Sequence, residues 1–417
     1  MLHTSSNYLR PAVKAIALGL SALWLVACGG AGSSAGSAGL SCAAGAAFTG
    51  EAMHAPLPAA NFPQPTTGAP SAAALPAELG ALLDARISAL LAQTGAPAIA
   101  AAVDVPGLGR WASTQGLARV LPERPAQAAT PFFWASVTKS LTAVLVLQLV
   151  EEGKLKLDDR LARWYPQMPQ AELITIEQLL THTSGLATNW EGSTSLNTLT
   201  RAEQLEAAVR APQVFCPGTK VSYSNTGYWL LSLIVEAVGG EPFDEALRRR
   251  IAEPLGLRQL SSLSPQQQPP DGFAAPHLGR VPSSDPGLGE RLGAGSVFAT
   301  PADMLSFWQT VLGGRLLSPA TVQRQWAKLY RLRDPASPEL RWWVGQGVML
   351  AEWTDLQGSN RPWLFHAGGD AVHGANAVLS YDPVVGAYVA VAVNSNVPSG
   401  AVATALLDIV AGWRAAH

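Results

Sequence analysis

The chain has 417 residues, of which 48% are hydrophobic and 14% charged, and its formal net charge is −2. This length is sufficient for a large buried core, and the low charge content argues against a disordered chain. Because there is no excess of basic residues, the chain has no electrostatic footprint for DNA or RNA, and we expect no nucleic-acid partner.

The first 27 residues are typical of a bacterial export signal. Arg10 and Lys14 precede an apolar run that is too short to span a bilayer comfortably. Small residues then lead to Cys28, which resembles the lipobox of bacterial lipoproteins, in which the cysteine becomes the lipidated N-terminus. We predict a signal peptide over residues 1–27 and a lipid anchor that holds the protein on the periplasmic side of a membrane or at the cell surface. An ordinary secretory signal is the alternative.

Residues 28–75 are rich in Gly, Ser, Ala and Pro, a composition that predicts a flexible tether before a folded domain over residues 76–417. Residues 32–36 match the G-x-S-x-G motif of α/β-hydrolases, but the flanking strand and helix that this motif requires are missing. Cys42 in the tether and Cys216 in the domain can pair in an exported protein or can remain two free thiols.

Hydrophobic periodicity predicts strands near both ends of the domain and helices between them. Residues 76–95 have helical spacing and stop at a glycine, and residues 97–105 and 110–118 form adjoining strands. Two further strands meet at a turn over residues 382–386, and a helix over residues 401–415 follows. The pattern predicts one sheet built from both chain ends, with a largely helical insert.

The most apolar helical run, residues 141–150, has a polar pair at its entrance. Ser136 and Lys139 form the only Ser-x-x-Lys in the chain, and this spacing puts both side chains on one side of a helix. Burial and the positive helix N-terminus disfavour an ammonium, so the amine can act as a base for the hydroxyl, beside free first-turn N–H groups. Taken alone, the pair has a structural alternative. The serine would cap the helix, and the aliphatic stem of the lysine would cover apolar surface while its charged end reaches water.

The only Tyr-x-Asn of the chain, Tyr223 and Asn225, precedes another apolar helical run. A phenol can transfer a proton if a nearby cation lowers its pKa, and an asparagine amide can hold both a lysine and a substrate carbonyl. The alternative is a turn before a helix with Asn225 as its cap.

A third motif, His366-Ala367-Gly368-Gly369, follows an apolar stretch that predicts a strand. Its glycines let a substrate backbone approach the strand closely, and the histidine can donate a hydrogen bond to substrate or to Tyr223. The alternative is a histidine in a turn.

In this order, the three motifs resemble the signature of penicillin-recognising serine hydrolases: class C β-lactamases, D-alanyl-D-alanine carboxypeptidases and related esterases. The connecting segments ITIEQLLTHTSGL and GAGSVFATPADMLSFW are also similar, and the resemblance covers about residues 80 to 412. It implies a β-lactamase/transpeptidase-like α/β (α+β) fold, with an antiparallel sheet flanked by helices and a helical lobe. We expect no cofactor and no metal.

The resemblance also implies roles for individual residues. Ser136 would be the acylated nucleophile, and Lys139 and Tyr223 would share the proton transfers. Asn225 would hold the substrate amide, and the backbone N–H groups of Ser136 and Gly369 would form the oxyanion hole. His366 and Gly368 would belong to the substrate-binding strand, and His182 would be structural.

Two departures affect the expected substrate. His366 replaces the lysine typical of β-lactamases and is more like the peptidases, and Ala367 lacks the hydroxyl that commonly helps to bind a substrate carboxylate. We expect a monomeric serine hydrolase of the carboxypeptidase or β-lactamase type, with an esterase or amidase of small apolar substrates and a non-catalytic binding module as alternatives. His366 and His373 match no zinc spacing. Four tryptophans border a cleft or pack in the core: Trp190, Trp342, Trp343 and Trp363.

Overall fold

The computed structural model describes residues 40–63, 71, 73–188, 199–264, 267, 269–279, 281–282, 289–333, 341–354, 360–370 and 374–417. The predicted signal peptide and lipidation site lie outside these residues. Within them, no helix combines the length and apolarity that a membrane crossing requires.

An antiparallel sheet built from both ends of the chain forms the centre of the fold, as the sequence predicted. The strands are β1 Ala98–Val105, β2 Gly109–Arg119, β3 Arg124–Pro125, β4 Phe132–Phe133, β5 Ser261–Ser262, β6 His277–Leu278, β7 Val281–Pro282, β8 Val297–Ala299, β9 Tyr330–Leu332, β10 Arg341–Val344, β11 Met349–Thr354, β12 Asn360–Asp370, β13 Ala375–Asp382 and β14 Ala387–Val393. In the described chain the main sheet has the order β3-β2-β1-β14-β13-β12-β11-β10-β9, and Ile99 of β1 lies opposite Val393 of β14.

Helices cover both faces of this sheet. They are α1 Ala77–Thr94, α2 Thr138–Glu151, α3 Ile176–Leu180, α4 Arg201–Arg210, α5 Asn225–Gly239, α6 Phe243–Leu247, α7 Glu253–Leu255, α8 Pro301–Leu312, α9 Pro319–Gln325 and α10 Ser399–Ala416. The predicted N-terminal helix is α1, which ends where Gly95 adopts a left-handed conformation (φ 69°). The predicted C-terminal helix is α10.

Two hydrophobic cores lie on opposite faces of the sheet, because successive strand residues point to opposite sides. In β1, Ile99 and Val103 pack in the core that contains α1 and α10, whereas Ala100 and Ala102 pack in the core that contains α2 and α5. The helix α2 is apolar all round because it is buried all round, in the middle of the second core. The predicted fold class is confirmed.

Residues 40–63 are held against the domain and form what we call the N-terminal strap. Cys42 is disulfide-bonded to Cys216, which resolves the open alternative in favour of pairing. Further along, Thr49 N–H donates to Thr219 O over 2.7 Å, and His54 N–H donates to Leu329 O over 2.9 Å. The expectation of a flexible tether over residues 28–75 is therefore wrong for the strap, whose backbone groups and cysteine find partners on the domain surface.

Replacing Cys42 by serine should loosen the strap and lower stability. A disulfide that closes a loop of 174 residues restricts the unfolded chain, and removal of such a bond costs about 2–4 kcal/mol. Chemical denaturation of the oxidised protein and the variant measures the difference, with Ser41→Ala as the control for a neighbouring substitution. Equal stability of the Cys42→Ser variant and the oxidised protein would show that the bond does not fasten the strap.

Candidate active site

Ser136 lies at the entrance of α2, in a 3-10 turn of residues Ala135–Val137 that leads directly into the helix. The Trp134 N–H donates to Val297 O over 2.9 Å, and Thr138 Oγ1 accepts from the Val297 N–H over 3.1 Å. The serine keeps 9% of its surface exposed. Its hydroxyl is thus carried by a fixed turn at the boundary between core and solvent.

The amine of Lys139 lies against this hydroxyl. The side chain is fully buried, and Nζ lies 2.9 Å from Ser136 Oγ and 2.6 Å from the carbonyl oxygen of Ala294. Burial, and to a lesser extent the charge of Arg291, hold the pKa of Lys139 well below its usual range, because an ammonium here would lose its hydration. The neutral amine can donate to Ala294 and accept the hydroxyl proton of Ser136, as a general base does beside a nucleophile.

Tyr223 is the third member of this group. Lys139 Nζ lies 4.9 Å from the centroid of the Tyr223 ring, and the phenol interacts with the Ser136 hydroxyl. Burial raises the pKa of Tyr223, so the resting phenol keeps its proton and can donate it. No cation lowers the pKa of Tyr223 in the resting site, because the nearby amine is itself neutral.

His182 packs against the ring of Tyr223. The rings of His182 and Tyr223 stack with centroids 4.3 Å apart and planes 23° apart, and His182 Nδ1 accepts a hydrogen bond from the Ser224 N–H over 3.0 Å. This bond requires the tautomer with its proton on Nε2, and burial holds the pKa of His182 well below its usual range. The residue orients Tyr223 and is a positioning residue.

Strained backbone conformations are concentrated around Ser136, Lys139 and Tyr223. Four non-glycine residues of the described chain have positive φ, and three of them adjoin the site. Ala135 (φ 44°) precedes the serine, His182 (φ 59°) stacks on the phenol, and Leu292 (φ 40°) lies in the turn that carries the carbonyl partner of Lys139. Each such conformation costs about 1–3 kcal/mol and persists only where packing imposes it, which is common at catalytic centres.

The end of β12 forms the wall opposite the serine. Its pairing with β11 stops at Phe365, whereas its pairing with β13 continues to Asp370. Among the described strands the backbone beyond Phe365 therefore has an open edge, to which an extended substrate can add. A Cβ at Gly368 would lie 2.1 Å from the Trp134 carbonyl oxygen. This glycine is needed for the approach of the protein's own serine turn. Close approach of a substrate backbone to the strand stays a prediction.

His366, on the same strand, is buried and neutral. Burial, with a smaller contribution from Lys139, lowers the pKa of His366 to about 3. Nδ1 lies 2.9 Å from the carbonyl oxygen of Ala367, and a proton donated there leaves Nε2 as an acceptor. Donation from His366 to substrate or to Tyr223 requires the other tautomer and stays a prediction.

Asn225 is the first residue of α5, two positions after the phenol, and it is half-buried. Its N–H donates to Thr188 O over 3.2 Å. The N-cap is Ser224, whose hydroxyl accepts from the Gly227 N–H over 3.2 Å, so the alternative in which the asparagine caps the helix is wrong.

The remaining predicted residues divide into two groups. Cys28, Trp190 and His373 lie outside the described residues. The other tryptophans singled out above pack in the two cores and are at most 5% exposed: Trp342, Trp343 and Trp363. In the part of the chain that the structure describes, no group of three or more His, Cys, Asp or Glu residues could hold a metal ion.

Sequence reasoning missed three contributors to the site. They are the carbonyl of Ala294 and the ion pair between Arg291 and Asp370, whose Nη1 and Oδ2 atoms are 2.7 Å apart. A backbone carbonyl leaves no mark on residue type, and the two charged residues are brought together only by the tertiary fold. The available hint was position, since Asp370 follows Gly369 directly and Arg291 stands just before the GAGSVF segment.

Comparison with known proteins identifies the family of the chain. The family model described as Beta-lactamase matches residues 83–412. The chain is 34% identical over 243 residues to Penicillin-binding protein 4 of Amycolatopsis lactamdurans, covering 54% of this chain and 63% of that protein. It is 35% identical over 221 residues to Esterase EstB of Burkholderia gladioli, covering 48% of this chain and 55% of that protein. The matches thus span between half and two thirds of these relatives.

A solved structure shows the same fold. The D-amino acid amidase from Ochrobactrum anthropi SV3, complexed with L-phenylalanine amide, superposes with a TM-score of 0.68 at 24% identity, covering 80% of this chain and 99% of that one. The fold defines the class of proteins with the β-lactamase/transpeptidase-like architecture. The chain belongs to the Beta-lactamase family, and the resemblance found in the sequence is confirmed.

Proposed function

We propose that the protein is an exported serine hydrolase that works through an acyl-enzyme on Ser136. The observation that carries this proposal is the 2.9 Å contact between the Ser136 hydroxyl and the buried amine of Lys139. A lysine that only covered apolar surface would extend its charged end to water, whereas this amine is fully buried beside a hydroxyl. The intact Tyr223 and Asn225 also argue against a non-catalytic module.

In acylation, Ser136 Oγ attacks the acyl carbon of an ester or amide, and its proton passes to Lys139 Nζ. Tyr223, which is protonated at rest, gives its proton to the leaving oxygen or nitrogen as the acyl bond breaks and regains one from Lys139. A water molecule then attacks the acyl carbon of the ester on Ser136, and Lys139 and Tyr223 again carry out the proton transfers. This step releases the acid, restores the serine hydroxyl and consumes one water per bond cleaved.

Backbone N–H groups of Ser136 and Gly369 are proposed to bind the oxyanion. Support comes from the close approach of the two segments, because a Cβ at Gly368 would lie 3.0 Å from the Ser136 nitrogen. The open edge of β12 can align the substrate beside this nitrogen, and Asn225 can hold its amide.

Three acyl donors test the proposal: p-nitrophenyl butyrate, nitrocefin and a D-alanyl-D-alanine peptide. We expect turnover of at least one, with a loss of about 10³-fold or more in the Ser136→Ala variant. Ser140→Ala is the matched control, since Ser140 is a buried serine of the same helix whose hydroxyl donates to Gly347 O over 2.7 Å. Undiminished hydrolysis by a folded Ser136→Ala protein would exclude the acyl-enzyme.

The pH–rate profile should report the depressed pKa of Lys139. We expect kcat/KM for p-nitrophenyl butyrate to rise with pH as the amine loses its proton, and to level off well below pH 10.5, the ordinary value for lysine. Rates measured with Ser136→Ala are subtracted to remove spontaneous hydrolysis. A rise centred near pH 10.5 would contradict a neutral resting amine.

Export and lipid anchoring at Cys28 are part of the proposal. The disulfide between Cys42 and Cys216 supports export, because such bonds persist in oxidising compartments. Metabolic labelling of bacteria with a palmitate analogue should mark the protein and should fail with Cys28→Ala. Labelling of that variant would place the lipid elsewhere.

A further inference from the structure

An ion pair joins the end of β12 to the turn beside Lys139 and has no part in the proton transfers above. Arg291 Nη1 lies 2.7 Å from Asp370 Oδ2, and their side chains are 23% and 3% exposed. Asp370 directly follows Gly369 at the open end of β12. Arg291 belongs to the turn Gly289–Ala294, whose last residue accepts the Lys139 hydrogen bond. The pair therefore ties the substrate-binding strand to the turn that holds the base.

The arginine is close to the reacting atoms. It belongs to the turn whose Ala294 carbonyl oxygen lies 2.6 Å from Lys139 Nζ, and its charge contributes to the lowered pKa of Lys139. The arginine side chain is 23% exposed, whereas the aspartate is enclosed at 3%.

Binding of a carboxylate in a partly desolvated cleft requires a cation that is available to it. The basic groups that the structure describes at the centre are Lys139, His182, His366 and Arg291. The amine shares its hydrogen bonds with Ser136 and Ala294, His182 Nδ1 accepts a bond from Ser224, and His366 is buried. Arg291 is the one that keeps a charge, and Asp370 neutralises it.

The strand itself adds no hydroxyl for a carboxylate. Ala367 stands where related enzymes have a hydroxyl residue, and its side chain packs against the core that contains α1 and α10. An incoming carboxylate would have to share Arg291 with Asp370, because the pair as a whole offers no net positive charge to offset the desolvation of a second anion.

We propose that Asp370 holds Arg291 in an internal pair and thereby makes the cleft selective for substrates with an uncharged leaving group, such as esters and amides. This inference rests on the proposed acyl transfer at Ser136 and narrows its substrate class. It favours ester or amide hydrolysis over removal of a C-terminal D-alanine. In the competing arrangement Arg291 leaves Asp370 and binds the substrate carboxylate directly.

Two peptides that differ only in this charge separate the two arrangements: N-acetyl-D-alanyl-D-alanine and its C-terminal amide. With the full protein, we expect kcat/KM for the amide to exceed that for the acid by about tenfold or more. If neither peptide is cleaved, the same ratio is measured from their inhibition of p-nitrophenyl butyrate hydrolysis. An equal or reversed preference in the wild type would overturn the proposal without needing any variant.

The Asp370→Asn variant releases the arginine with little change in shape. We expect its preference to shift toward the acid by about tenfold, as for one new charge-assisted hydrogen bond, and the double variant Asp370→Asn/Arg291→Gln to lose that gain. An unchanged ratio in an Asp370→Asn protein that still hydrolyses p-nitrophenyl butyrate would also overturn it.

Asp104→Asn is the matched control. Asp104 pairs with Arg110 at 3.1 Å with side-chain exposures of 2% and 21%, close to those of the site pair, but it lies on β1. This variant should leave the peptide ratio unchanged, and a shift as large as that of Asp370→Asn would count against a specific role. Failure of the wild type to hydrolyse any ester or peptide is a separate outcome, which would refute the acyl transfer itself.

Discussion

Replacement of Lys139 by methionine should lower kcat/KM for p-nitrophenyl butyrate by about 10²–10⁴-fold, the range that general-base catalysis contributes. The amine is the group that lies 2.9 Å from Ser136 Oγ and can accept its proton, and methionine fills similar space without a base. Steady-state kinetics at pH 8 measures the loss. Lys154→Met is the control, because Lys154 is 53% exposed and pairs only at the surface with Glu152.

The same variant should fold at least as well as the wild type. The pKa of Lys139 is lower in the folded protein than its unfolded value of 10.5. At pH values between the folded pKa and the unfolded pKa, the unfolded chain therefore binds more protons than the folded protein. Wild-type stability therefore rises with pH through that window, and the cost of the buried amine is fully present below it. Methionine removes this cost, so the variant should gain relative to the wild type as pH falls.

Urea denaturation of both proteins between pH 6 and 10 measures this trend. Full activity of a folded Lys139→Met protein would reject lysine as the base. A marked loss of stability across the whole range would show instead that the amine's hydrogen bonds to Ser136 and Ala294 hold the fold together.

Replacement of Gly368 by alanine should abolish most activity through geometry alone. The added Cβ would meet the Trp134 carbonyl oxygen at 2.1 Å, and a backbone atom cannot rotate away. Either β12 or the turn that carries the serine must shift, and displacement of a reacting group by about 1 Å costs roughly 100-fold in rate. Overpacking of this kind also costs about 1–3 kcal/mol of stability.

Kinetics and thermal unfolding of Gly368→Ala measure both effects. Gly412→Ala is the opposite control, because this residue of α10 has nothing within 4 Å of an added Cβ and alanine favours a helix. Its activity should be unchanged and its stability equal or slightly higher. Normal activity in Gly368→Ala would mean that the strand and the serine turn are not held in this close approach.

Local patterns in the sequence carried much of the fold and the core of the site. The three-residue spacing of Ser136 and Lys139 fixes their relation within one helical turn, and the period-2 strands at both chain ends specify a shared sheet. These features depend on neighbours in sequence, so the pattern alone determines them.

Features that depend on distant partners were missed or misjudged. The Gly, Ser and Pro content of the strap predicts a tether, because composition says nothing of Cys216, Thr219 and Leu329, which bind it. The direction of the Tyr223 pKa shift does not follow from a lysine nearby in the motif set, because the charge of that lysine depends on its burial. The pairing of Arg291 with Asp370 follows from the tertiary fold alone.

The most direct measurement of the central claim is the site of covalent modification. The full protein is treated with a neutral p-nitrophenyl phosphonate, which forms a stable adduct with activated serines, and is then digested and sequenced by mass spectrometry. We expect one adduct, on Ser136, which forms at a greatly reduced rate in Lys139→Met. An adduct on another serine, or an equal rate of labelling in Lys139→Met, would contradict the claim that the buried amine of Lys139 makes the Ser136 hydroxyl nucleophilic.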